Sequence, residues 1–486
     1  MIILAIVIVL VLFLFRYLKS RSTALQHLRG PSSPSFLLGH ELELRAQPTV
    51  GALEKSWQKT YGNTFRIGGC FARDILMTSD PKAIQHILRN SGYRYPKTED
   101  VVHMWEMVVG RGLLTTAGGV HQRQRKILSP AFSPSQLKEY MSVFWHITGA
   151  KLCGKFHELV NQGPQEINLL EWMNHTALDI TGLTAFRCHF GALDGGSSEM
   201  ADETKLLLYA FVVLPLHHLI PIGSTTISKI VPTPIVILVP ALWRVLPGWV
   251  LSILDKMLNR ENEILRQFRD TIKNVARDNY SKDVVTLLAK AFDEKLMGED
   301  EILSQLATFT LGGEDTTAAL LSWTLYELSR QPDYQARVRE EIRQGTVDYD
   351  STPLLDAAVN VTTPLLVLIS ILTHWQEPLR LHPIVHTFSR YAAEDDTIPL
   401  SQSVRTRTGE TWNEIPVEKG QMVMISTYTY NRYTYDYMGD NAENWVPEQF
   451  LNVPKGKSSF SIGLHANLLN FSETCRLHLY RILVSI

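Results

Sequence analysis

The chain has 486 residues, of which 45% are hydrophobic, 9% aromatic and 20% charged, and it carries a formal charge of −2. That balance excludes a disordered chain and removes any global attraction to nucleic acid. The four cysteines, Cys70, Cys153, Cys188 and Cys475, are scattered, which excludes a disulfide scaffold and a metal cluster built on paired cysteines.

Residues 1–15 contain no polar side chain, and Arg16, Lys19 and Arg21 follow at once. About 20 apolar residues cross the hydrocarbon of a bilayer. Tyr17 and Leu18 extend the run and Arg16 can snorkel, so residues 1–18 are expected to form a transmembrane anchor. A cleaved signal peptide is the competing reading; it would want a basic segment before the run and a small-residue cleavage site after it, and neither is visible. The basic flank lies on the C-terminal side, which places the body in the cytoplasm. Residues 19–45 read as a basic and Pro-rich hinge, since Arg29-Gly30-Pro31-Ser32-Ser33-Pro34 can hold neither helix nor central strand. The body then occupies residues 46–486.

Short strand-like pieces are expected at 64–77 and at 415–425, where Gly420 marks a turn. Most of the remainder shows helical spacing of apolar residues, clearest at 250–276 and 302–344. Residues 206–249 are apolar and broken by prolines, among them Pro215, Pro221, Pro232, Pro234 and Pro240. They are either buried core with loops or a surface that dips into lipid and admits an apolar substrate.

The helical run at 306–325 contains Gly312-Gly313-Glu314-Asp315-Thr316-Thr317. Each glycine costs a helix about 1 kcal/mol relative to alanine. Close approach of a flat ligand would offset this, with Asp315 and Thr316 supplying an acid and a hydroxyl beside it; a weakened helix with a solvated acidic turn is the alternative. Further on, Glu377 and Arg380 stand one helical turn apart and can pair. The same spacing recurs at Glu263/Arg266, Glu327/Arg330, Glu340/Arg343 and Glu473/Arg476, so spacing alone discriminates little. What sets Glu377/Arg380 apart is the Leu381-His382-Pro383 that follows and the later Trp445-Val446-Pro447-Glu448-Gln449-Phe450.

An apolar anchor, a Pro-rich hinge, His121-Gln122-Arg123-Gln124-Arg125-Lys126, the Gly-Gly-Glu-Asp-Thr-Thr run, Glu-x-x-Arg-Leu-His-Pro and Trp-x-Pro-Glu-x-Phe follow in that order. This order resembles the microsomal cytochrome P-450 monooxygenases, above all those of fungi, over about residues 25–472. The resemblance implies a mainly α fold with small β-sheets, holding haem b through a cysteine thiolate. It implies electrons from NADPH through a cytochrome P-450 reductase, a small apolar substrate, a lipid contact, and residence in the endoplasmic reticulum membrane as a single-pass protein with a cytoplasmic catalytic domain. Residue by residue, Gly312 and Gly313 would let the haem face approach the helix, and Asp315 and Thr316 would deliver protons for oxygen activation. Arg125 and Arg390 would hold haem propionates, with His121 adding a donor. Glu377 and Arg380 would form a buried ion pair that organises the core without taking part in chemistry. Arg123 and Lys126 would either help dock an acidic reductase or form a solvated face.

Three departures stand out. Residues 361–376 are a 16-residue, mostly apolar surplus between Asn360 and Glu377. Its valine start and glutamine end suit a retained intron, with a genuine inserted helix as the alternative. Gln449 replaces the arginine that the family's ion-pair network uses as a third member. Beyond residue 472 the family's ligand loop, F-x-x-G-x-R-x-C-x-G, is disrupted. Cys475 lies four residues after Phe471 where the pattern has seven, and the family's last helix and hairpin are expected to be missing. Cys475 is the one cysteine of that region and so the candidate iron ligand. If the loop fails to hold haem, the chain would be a membrane-anchored remnant without catalysis.

Overall fold

The computed structural model describes residues 24–36, 38–164, 166–195, 282–344, 376–434, 442–447 and 468–469. Within them the chain is mainly helical with two small sheets. The anchor at 1–18, the segments 206–249 and 250–276, residues 361–375, Gln449 and Cys475 lie outside the described residues. Among the described residues no helix is long and apolar enough to cross a membrane.

The strand-like piece at 64–77 is a hairpin of β1 (Thr64–Gly68) and β2 (Asp74–Thr78). Every residue of β2 is buried, as expected of a strand covered on both faces. From the far end of the chain come β3 (Thr387–Tyr391), β4 (Asp396–Arg405), β5 (Thr411–Val417) and β6 (Met422–Ser426). β6 runs parallel to β2 and antiparallel to β3, giving one four-stranded sheet of order β1-β2-β6-β3. β4 and β5 form a separate ribbon. The piece expected at 415–425 is thus two strands in different sheets, divided at Gly420, whose φ of 86° suits only glycine comfortably.

The helices that matter for the site are α1 (Ala52–Tyr61), α2 (Glu99–Val109), α3 (Gly118–Leu128), α4 (Pro134–Phe144), α5 (Leu169–Phe186), α6 (Val284–Asp293), α7 (Glu299–Ser329), α8 (Pro332–Gln344) and α9 (Gln376–Leu381). The continuous helix expected over 302–344 is corrected to two. Pro332 has no N–H to donate, so it opens α8 at the first helical position instead of continuing α7. At the other end of α7, the Gly298 amide donates to Glu301 Oε2 at 3.1 Å, and Glu299, Asp300 and Glu301 face the positive helix terminus.

α7 is the axis of the larger core. Phe132 stacks on Phe309 with ring centroids 5.9 Å apart, and Phe144, Met173, Ile180, Phe186, Leu288 and Leu321 pack into the same cluster. α5 crosses α7 so closely that a Cβ on Gly313 would lie 2.5 Å from Thr181 Oγ1. A second cluster of Leu76, Ile84, Ile87, Ile398, Ile415, Val423 and Ile425 joins the sheet to the β4–β5 ribbon. Together these cores fix α3, β3 and α7 relative to one another.

Candidate functional site

Three chain segments bring cationic side chains to one place. His121 and Arg125 are one turn apart on α3 and therefore share a face. Lys97 and Arg390 form an antiparallel bridge, and the amides of Tyr391 and Ala393 donate to the carbonyls of Pro96 and Arg94 at 3.2 and 2.8 Å. Residues 94–97 thus run as an extra edge beside β3, with Pro96 favouring the extended backbone that this needs. Asp300, Glu301 and Ser304 of α7 close the remaining side. Tyr93, Lys97, Thr116, His121, Arg125 and Arg390 line the resulting cavity of about 1320 Å³.

The wall of this cavity is tied together by buried amides. Glu301 Oε1 accepts from Arg123 Nη2 at 2.5 Å and from Gln124 Nε2 at 2.9 Å. Gln124, fully buried, accepts in turn from Thr116 Oγ1 at 2.9 Å. The Leu113 amide donates to Gln305 Oε1 at 3.1 Å. A Cβ on Gly112 would lie 2.9 Å from the Ser304 carbonyl oxygen, so the loop 110–117 lies flat against α7. Arg123 also donates to the Leu296 carbonyl at 2.5 Å. Through these bonds Arg123, still 43% exposed, fastens α3 to the start of α7.

Burial, and then the positive charges of Lys97 and Arg125, hold the His121 imidazole down to about 4 from an ordinary 6.5, so it is neutral at neutral pH. Its Nδ1 lies 3.0 Å from the Tyr93 hydroxyl. Lys97 Nζ donates to the Leu114 carbonyl. Arg390, buried, donates to the Ser389 carbonyl at 2.9 Å and lies over the Phe388 ring.

The α7 wall of the cavity ends at Ser304. Leu311 and Asp315 follow it by seven and eleven residues, which at 3.6 residues per turn keeps them on the same face. Gly312 and Thr316 are half-buried, Asp315 is exposed, and Thr316 Oγ1 donates back to the Gly312 carbonyl at 2.8 Å. Gly313 is buried against Thr181 of α5, so its missing side chain serves a helix crossing.

Glu377 and Arg380 are both completely buried and pair through two contacts of 2.8 and 2.7 Å. Arg380 also donates to the carbonyls of Ala442 and Asn444, at 2.6 and 2.7 Å, and the Val446 amide donates to Glu377 Oε1 at 2.8 Å. The segment leading into Trp445-Val446-Pro447 is thereby pinned to α9 by its backbone. His382 Nε2 lies 2.7 Å from Glu327 Oε1, and its ring stacks on Trp323 at 4.0 Å, so Leu-His-Pro joins α9 to α7.

Three cysteines lie among the described residues, and none lines the cavity. Burial pushes the Cys153 thiol up to about 11 and also raises that of Cys188, the opposite of what an iron-binding thiolate needs. Reasoning from sequence missed Tyr93, Lys97, Gln124 and Gln305. Only Lys97 carries a local signal, the extended Tyr-Pro-Lys context beside a strand.

The chain matches the cytochrome P-450 family model over residues 29–463. It is 32% identical to cytochrome P-450 monooxygenase claQ of Ampulloclitocybe clavipes over 93% of this chain and 81% of that protein. It is 28% identical to cytochrome P-450 monooxygenase 91 of Postia placenta over 92% of this chain and 82% of that one. It is 29% identical to a ganoderic acid synthetase of Ganoderma lucidum over 86% of this chain and 77% of the relative. A mainly helical body, a long axial helix carrying Gly-Gly-Glu-Asp-Thr-Thr, a buried Glu-x-x-Arg pair and this match over most of its length agree: the chain belongs to the cytochrome P-450 family, fungal monooxygenases that use haem iron and electrons from a reductase.

Proposed function

We propose that the chain is a haem-thiolate monooxygenase that places one atom of dioxygen into a small apolar substrate, the other atom leaving as water. The electrons come from NADPH through a cytochrome P-450 reductase. The observation that carries this reading is the convergence of Lys97, His121, Arg125 and Arg390 on one cavity beside the axial helix. Haem b carries two carboxylates on one edge, and three cations with an imidazole donor suit that edge in charge and hydrogen-bonding capacity. The residues present therefore fit the acidic end of the group. The proposed iron ligand, Cys475, belongs to the tail outside the described residues.

Haem iron with a thiolate ligand supplies the activation of dioxygen. Arg125 and Arg390 bind its carboxylates, and His121 adds a neutral N–H. Asp315, exposed on α7, exchanges protons with water. Thr316 Oγ1, parked on the Gly312 carbonyl, rotates to pass a proton inward. Gly312, one turn before Thr316, would let the haem face approach the helix. Glu377 and Arg380 hold the backbone at 442–446 in place. Residues 1–18 anchor the chain in the endoplasmic reticulum membrane, with the body from residue 46 in the cytoplasm. Protease added to sealed microsomes then removes the body.

A second reading, a membrane-anchored remnant that binds no haem, is favoured by one observation: Cys475 lies four residues after Phe471 and lacks the loop glycines. An absorbance spectrum of the reduced, carbon monoxide-treated full chain separates the two. A Soret band at the position of thiolate-ligated haem supports the enzyme. A band typical of histidine ligation removes Cys475 from the role, and no haem band at all supports the remnant.

A further inference from the structure

His121 is 4% exposed and neutral, so its ring carries a single proton and has only one N–H to offer. Which nitrogen carries it decides what the residue can do in the cavity. Nδ1 lies 3.0 Å from the hydroxyl of Tyr93, whose ring meets the imidazole edge to face at 76°. A phenol is a strong donor and a weak acceptor, while a bare imidazole nitrogen is a strong acceptor, so the favoured arrangement has Tyr93 donating to Nδ1. The proton then sits on Nε2.

We propose that Tyr93 is a positioning residue that fixes His121 in its Nε2–H form, so that the cavity has a neutral donor for a carboxylate between Lys97 and Arg125. A neutral donor matters at this point. A cationic imidazole would lie beside two other cations in a buried wall and raise the cost of assembling it, whereas an imidazole protonated on Nδ1 would present a lone pair to a carboxylate and repel it. Tyr93 belongs to none of the motifs that mark the rest of the site. It reaches His121 across 28 residues because the segment 94–97 is held along β3 and carries Tyr93 to the cavity mouth.

The identity of the carboxylate rests on the haem reading, so the test has one arm with haem and one without. In the haem-free arm, the full chain is isotope-labelled at the histidine ring nitrogens, and the His121 signal is identified by its loss in His121→Gln. Nitrogen chemical shifts of the Nε2–H form are expected in the wild type, and a mixed or Nδ1–H form in Tyr93→Phe. An unchanged His121 form in Tyr93→Phe overturns the proposal whether or not haem binds. In the other arm, haem transfer from the loaded chain to apomyoglobin is timed. Tyr93→Phe is expected to speed haem loss about tenfold, in the range of outer-shell partners of a bound group. In the His121→Gln background, where the amide donor needs no tautomer, the same change should alter the rate less than about twofold. Equal acceleration in both backgrounds overturns the proposal. A chain that takes up no haem overturns the haem reading instead and leaves the nitrogen measurement to decide on Tyr93.

Discussion

Two glutamate–arginine pairs of identical spacing lie on neighbouring helices, Glu327/Arg330 at the end of α7 and Glu377/Arg380 on α9. Arg330 is 60% exposed and sits 3.8 Å from its partner. Arg380 is wholly buried, holds Glu377 through two contacts, and donates two further N–H groups to the Ala442 and Asn444 carbonyls. Spacing gives both pairs the reach to form; burial and backbone partners decide what each is worth. Arg330 reaches a buried Glu327 from water and gains little there, while the buried pair leaves a charge and two carbonyls stranded when it is broken.

The largest expected effect tests the buried side. Arg380→Ala should cost about 3–5 kcal/mol of stability, read from urea unfolding, because Glu377 is left charged in the core. Replacing both residues with leucine should cost less than either single loss, and a double variant worse than both singles would break the comparison. Next is the helix crossing. Gly313→Ala should cost about 1–3 kcal/mol despite alanine's better helix propensity, because its Cβ would meet Thr181. Adding Thr181→Ala should recover most of that loss, which confines the effect to the crossing.

A smaller effect follows from His121. Its folded value near 4 lies below the ordinary 6.5, so the unfolded chain takes up the extra proton first as pH falls. The contribution is fully present above pH 6.5 and is lost as pH falls through that window toward 4. Between about pH 7 and about pH 5, His121→Gln should therefore lose less stability than wild type, measured as the shift in urea midpoint. The smallest effect belongs to Arg330, the exposed arginine. Arg330→Ala should change stability by less than about 1 kcal/mol, and less still in high salt. A loss comparable to that of Arg380→Ala would show that spacing, and not burial, sets the value.

Much of this was legible in the sequence where a signal is local. The Gly-Gly-Glu-Asp-Thr-Thr run lies on a long helix, and the Leu-His-Pro context picks out the Glu377/Arg380 pair that is buried. The break before Pro332 was readable too, yet apolar periodicity running across it suggested one helix. β3 and β4 were not read: β3 mixes polar residues into five positions, and β4 loses its alternation where the register shifts between Pro399 and Val404. The two glycines look equivalent in sequence, but they face different ways on the helix, and only the crossing with α5 separates them. Lys97, Tyr93, Gln124 and Gln305 act across long sequence separations, through a bridge, a tautomer and buried amides that no spacing encodes.

The central claim, that Lys97, His121, Arg125 and Arg390 form the acid-holding end of a haem site, is tested most directly by haem titration of the full chain. The wild type should bind haem one to one, and Arg125→Ala and Arg390→Ala should each weaken binding by about tenfold or more, the loss expected when one charge-assisted contact of about 1.4 kcal/mol is removed. Saturable one-to-one binding with unchanged affinity in both variants would contradict it.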